Sequence, residues 1–123
     1  MRRNTAVWIY IANLAVLATH EVDSGYWREW KLFGLPGGSQ LFLVLNLALF
    51  VVALVGLRQL VLWRAGARLL SYFLAACGIF AFSIHMWFIA TGHPEFRSPV
   101  SVAILATALA LSLAQVAVTL KLR

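Results

Sequence analysis

The chain is divided by four apolar runs, at about residues 5–22, 40–57, 69–90 and 100–120, with almost no charge inside them. Each comes close to the ~20 residues that a helix needs to cross ~30 Å of hydrocarbon. Backbone amides cannot stay unpaired in lipid, so only helices and closed barrels span a bilayer, and barrel strands alternate apolar with polar residues. These runs do not alternate. The pattern predicts an all-α fold: one integral membrane domain over residues 1–123, built as a four-helix transmembrane bundle. Composition agrees, with 63% apolar and 11% charged residues, against about 45–50% and about 25% in soluble domains. A chain this short has too much surface for its volume to hide that apolar area from water. Arg2-Arg3 before the first run loosely fits a signal peptide, but the run exceeds the usual apolar core of about 7–15 residues and reads as a retained helix.

The breaks carry turn and cap signals. Leu35-Pro36-Gly37-Gly38-Ser39 is a turn in which Ser39 can cap the second long helix. Gly66 breaks the basic stretch 58–68, and Gly92 is placed to end the third run. Ser98-Pro99 reads as an N-cap followed by a first-turn proline. Between the first two runs, Tyr26, Trp30 and Phe33 fall on one face of a short segment, with Trp27 beside them. This predicts a short interfacial aromatic helix at headgroup level, either a belt anchor or a lid.

Basic residues set the expected orientation. Arg2, Arg3, Arg58, Arg64, Arg68, Lys121 and Arg123 fall on one side, 7 of the 10 Lys and Arg; Arg28, Lys31 and Arg97 fall on the other. The positive-inside rule then places both termini and the middle loop in the cytoplasm. The net charge of +6 is explained by a collar facing anionic lipid, and no nucleic-acid motif accompanies it. The lone Cys77 lies inside the third run, cannot form an intrachain disulfide, and behaves as a small apolar residue.

All four acids (Glu21, Asp23, Glu29, Glu95) and all three histidines (His20, His85, His93) fall at the outer side. His20 and Asp23 are three residues apart and share a helix face, and Asn13 lies two turns below. Asn46 and His85 reach middle to outer depth on two other helices. Polar groups in lipid are costly and turn inward, so Asn13, His20, Asn46 and His85 are expected to meet in a cavity rimmed by Glu21, Asp23, His93 and Glu95. His20, Asp23 and His85 would form a three-ligand set for zinc, iron or copper with room for water, and Glu21 is the candidate general base. Asn13, Asn46, Glu21, Trp27 and Trp30 are the expected ligand-binding residues. No H-E-x-x-H or cysteine-rich spacing supports the metal. Mutual hydrogen bonding of the same side chains is the alternative. In the fourth run, Ala106, Ala110 and Ala114 repeat every four residues, a small-residue stripe for contact within the bundle or for a homodimer.

His20-Glu21-x-Asp23-x-x-Tyr26-Trp27-x-Glu29-Trp30-x-Leu32-Phe33-x-Leu35-Pro36-Gly37-Gly38 resembles the leading motif of an uncharacterised family of small bacterial four-span membrane proteins. The resemblance implies a multi-pass protein of the bacterial inner (plasma) membrane and implies no activity. The chain is also similar to small multidrug exporters in its four spans and first-span glutamate, but theirs sits near mid-membrane and Glu21 sits at the outer end. Membrane sterol isomerases of the emopamil-binding type share intrabundle His and Glu but are longer. The leading functional reading is a non-enzymatic accessory or small-ligand or metal-binding protein, with a membrane protein as a possible partner. The alternatives are a metal-dependent membrane enzyme acting on lipid or a small apolar substrate, and a dimeric small-molecule exporter.

Overall fold

The computed structural model describes residues 2–122, so Arg123 of the expected basic collar lies outside the described residues. The elements are α1 (Arg2–Tyr26), α2 (Glu29–Leu32), α3 (Ser39–Val61), α4 (Ala67–Ala90) and α5 (Pro99–Leu120). The fold is all-helical, and α1, α3, α4 and α5 are long and apolar enough to cross a membrane. Only 17% of the most apolar stretch of α3 is buried, against 28% in each of the other three. An apolar helix left so open calls for hydrocarbon around it, as in a multi-pass membrane protein.

What holds the helices together is small and polar. The buried residues of α1 are Ala6, Tyr10, Asn13, Leu17, His20 and Ser24. Those of α5 are Ser101, Leu105, Ala108, Ser112, Gln115 and Thr119. Both stripes step by four and three residues in turn, the 3.5-residue seam of left-handed packing. Contacts fix the directions. Arg3 donates to the Val61 carbonyl at 2.8 Å and Tyr10 to the Ala53 carbonyl at 2.7 Å, so α1 and α3 run antiparallel. Ser71 pairs with Thr119 at 2.8 Å while Gly78 lies against Ser112, so α4 and α5 do too. The start of α1, the end of α5 and the α3–α4 connection therefore share one end of the bundle, and α2 lies at the other.

Asn13 was expected in a cavity with the histidines. Instead it faces α5, donating to Ser112 Oγ at 3.1 Å and to Gln115 Oε1 at 2.8 Å. Gln115 then donates to the Ser71 carbonyl at 2.8 Å. The network ties α1, α4 and α5 together well away from the α2 end. Interhelical hydrogen bonds inside membrane bundles average about 0.6 kcal/mol and reach about 1.7. Asn13→Ala is expected to lower stability in detergent by about 1 kcal/mol, read as a lower unfolding midpoint. It should leave the properties of the histidines unchanged.

The helix ends follow sequence logic in two places. Gly92, at φ 95°, sits one residue past the Thr91 cap, with Gly92 N–H bonded to the Ile89 carbonyl and His93 N–H to that of Phe88. This is the paired C-terminal bond pattern for which a left-handed residue is needed. Ser98 caps α5 by accepting from Ser101 N–H at 3.1 Å, and Pro99 follows it. Ser39 does not cap α3: Gly38 takes that position with no side-chain bond. The aromatic segment also differs from expectation. Tyr26 ends α1, Trp30 is the only aromatic residue inside the four-residue α2, and Phe33 is its C-cap. On α5, Ala106 and Ala110 are exposed and face away from the bundle, with Ala114 half-buried.

Candidate functional site

His20 on α1 and His85 on α4 occupy the buried seams of their helices at the α2 end. Because α1 and α4 both run toward that end, the two rings come level. Their Nε2 atoms lie 3.1 Å apart and the rings meet edge to face, with centroids at 4.7 Å. After Tyr26 the chain turns back on itself. Arg28 takes the left-handed conformation, φ 54° and ψ 51°, immediately before α2. That reversal carries Glu29 over the end of the bundle, where its Oε1 lies 2.9 Å from His85 Nε2. Ser24, one turn above His20, places its hydroxyl 3.4 Å from His20 Nε2.

His20, Glu29 and His85 are all buried, and each offers one ligand atom within 4.8 Å of the others. Asp23, the third ligand expected from sequence, is not among them; Glu29 stands in that place. Two ligands bound tetrahedrally at ~2.0–2.1 Å sit about 3.3 Å apart, so the 3.1 Å and 2.9 Å separations need little opening. The protons available also fit a cation. His85 Nε2 carries at most one hydrogen, yet it faces both His20 Nε2 and the Glu29 carboxylate. Burial alone would push the Glu29 carboxyl up, but hydrogen bonds from His85 and Ser24 outweigh it and hold it below the usual range. That favours its ionised form, the form a metal would need.

Both Nδ1 atoms are buried without a partner. The rings are oriented by packing rather than by hydrogen bonds behind them. Phe96, from the α4–α5 loop, is fully buried, and its ring lies 4.1 Å from His85 and 6.0 Å from His20, centroid to centroid. Trp27 closes over Phe96 at 6.5 Å. This aromatic cap separates the cluster from the water beyond the α2 end. Phe96→Ala is expected to open it. Among the histidines, diethyl pyrocarbonate should modify the half-buried loop residue His93 alone in the parent protein, and all three in the variant, as counted by mass spectrometry.

Below the cap, α1, α3 and α4 enclose a cavity of about 420 Å³, within the range of about 300–1,000 Å³ usual for ligand pockets. Its walls are almost wholly apolar; the polar lining is His20, Glu21, Glu29 and Asn46, gathered at the α2 end. Asn46 donates to the Phe42 carbonyl at 3.0 Å and its side chain also hydrogen-bonds Glu21, while its Oδ1 stays buried and unpartnered. Of the residues expected to bind a ligand, Asn46 and Glu21 line the cavity. Asn13 does not line it, Trp27 belongs to the cap, and Trp30 packs on Phe42 at 5.3 Å. His93 and Glu95 pair with each other at 3.8 Å in the neighbouring loop.

Sequence reasoning missed Glu29 and Phe96. The signal for Glu29 was its standing as one of four acids at this end, nine residues from His20. What periodicity does not carry is the left-handed Arg28 that turns it inward. Phe96 gave no signal, since one phenylalanine in a loop reads as exposed or interfacial.

A multi-pass helical protein with a buried His/Glu cluster at one end of its bundle is the class these features define. Within it, the chain belongs to the family of unknown function DUF6713, whose profile matches residues 6–122. No curated protein and no solved structure matches the chain.

Proposed function

We propose that this is a plasma-membrane protein that binds one divalent transition metal through His20, Glu29 and His85, beneath the outer face of the bilayer. The observation that carries the reading is the convergence of three buried ligand atoms within 4.8 Å, with more acceptors than protons among them. Two imidazoles and one carboxylate are a donor set for zinc with a fourth position open, or for ferrous iron. Arginines near the termini and in the α3–α4 connection support the orientation that puts the cluster outside.

A second reading, a metal-dependent membrane enzyme, draws support from one feature. His20 and Glu29 line the apolar cavity while His85 does not, so the open coordination position faces the cavity. Glu21, on the same wall, would be the base. Export draws no such support, because no acid or histidine continues from the cluster toward the terminal end.

The test is calorimetric titration of chelator-treated protein in mild detergent with zinc and, without oxygen, with ferrous iron. One site per chain is expected. Binding should release protons and weaken on acidification, because the imidazoles must be neutral to ligate. Absence of saturable binding by either ion would remove the metal reading.

A further inference from the structure

The cavity has a shape and a mouth that say where its occupant comes from. On α3 it extends from Phe42 to Ala53, and on α4 from Phe73 to Ile84. Each is a rise of roughly 16 Å at 1.5 Å per residue. That is about half of the ~30 Å hydrocarbon thickness, the depth of one leaflet. Leu45 and Leu49 on α3 and Phe73 and Phe80 on α4 line the cavity and are also 39–60% exposed. They form the lips of an opening between α3 and α4, toward the surroundings of the bundle rather than toward either end. In a membrane, that opening meets acyl chains.

The polar end is equally specific. Asn46 is 8% exposed and lines the cavity, and its Oδ1 is an acceptor with no donor. Glu21 adjoins it, and Glu29 is near. A head placed there must supply a hydrogen. An acid head would be a third carboxyl beside Glu21 and Glu29, and a phosphodiester head would bring negative charge to the same place.

We infer that the cavity binds a single-chain lipid alcohol from the bilayer, its hydroxyl donating to Asn46 Oδ1 and its chain lying between α1, α3 and α4. The hydroxyl then sits on the same wall as His20, so the alcohol is the ligand class that would meet the open position of the proposed metal. Its binding does not rest on the metal, because its contacts come from Asn46 and apolar walls.

The experiment uses the full chain in lipid nanodiscs and 1-hexadecanol carrying a diazirine at its far end. Light should attach the probe to residues at the deep end of the cavity, in segments 49–53 and 73–77, identified by peptide mass spectrometry. Asn46→Leu should weaken labelling by about 2- to 10-fold, the worth of one hydrogen bond. Leu49→Trp, which fills the mouth, should abolish it. The hexadecanoic acid analogue should label the deep segments less than the alcohol does. Chelator-treated protein should label as well as untreated protein, and Leu49→Trp should keep its metal affinity, so failure here and failure of the metal reading are separable. Labelling confined to outward residues such as Leu43 and Leu47, or equal in the parent and Leu49→Trp, would overturn the inference. So would equal labelling by alcohol and acid.

Discussion

His85→Ala is expected to abolish metal binding, with the largest loss of any single substitution in the chain. Its Nε2 stands between the other two ligand atoms, 3.1 Å from His20 and 2.9 Å from Glu29. Without it, His20 and Glu29 lose the imidazole that lies within 3.1 Å of both. Changing a group behind a ligand already costs about 10- to 100-fold in metal affinity, and losing the ligand should exceed that. Glu29→Gln should cost nearly as much while keeping the side-chain shape, because the amide brings no negative charge. Two controls sharpen the result. His93→Ala removes a loop histidine that pairs with Glu95 and packs on Phe88, outside the three-residue cluster, and should leave affinity unchanged. Asp23→Asn separates the ligand set read from sequence from the proposed His20–Glu29–His85 set, and should change affinity little. Helix content by circular dichroism confirms that each variant is folded.

The second large effect is structural. Gly78→Ala is expected to destabilise the α4–α5 pair by about 1–3 kcal/mol, as overpacking of a close contact does. A Cβ at Gly78 would fall onto Ser112 Oγ and lie 3.2 Å from both the Ala108 carbonyl oxygen and Ser112 Cβ. The carbonyl belongs to a helix backbone and cannot step aside. Ser112 cannot rotate freely either, because it takes part in the Asn13–Gln115 network. Helix pairs in lipid associate through such close approach rather than through hydrophobic burial, so one methyl group acts strongly here. On the outward side of α5, Ala103→Val should stay within about 0.5 kcal/mol of the parent. Unfolding midpoints in a denaturing-detergent series would show the contrast.

The helices were legible because lipid imposes a length and hydropathy rule that four runs satisfy without ambiguity. The partition of polar residues among them was harder to read. His20 and His85 meet in the structure, as the inward turn of polar groups near one end of the spans implies. Asn13 was drawn into that group by its spacing from His20, which fixes a helix face but not the neighbour that face meets. It meets α5, where Gln115 and Ser112 await it. Glu29 depended on a local reversal at Arg28, a left-handed arginine that no residue preference announces. The αL glycine past α4 and the Ser98-Pro99 start of α5 were readable because there the conformation and the residue type agree.

The most direct test of the proposed metal site is elemental analysis by plasma mass spectrometry of protein purified in mild detergent without added chelator, beside the His20→Ala/His85→Ala double variant. Close to one zinc or iron per chain is expected in the parent and none in the variant. Metal absent from both, or equal in both, with the variant folded, would contradict it and leave the His20–His85–Glu29 contact as a packing device.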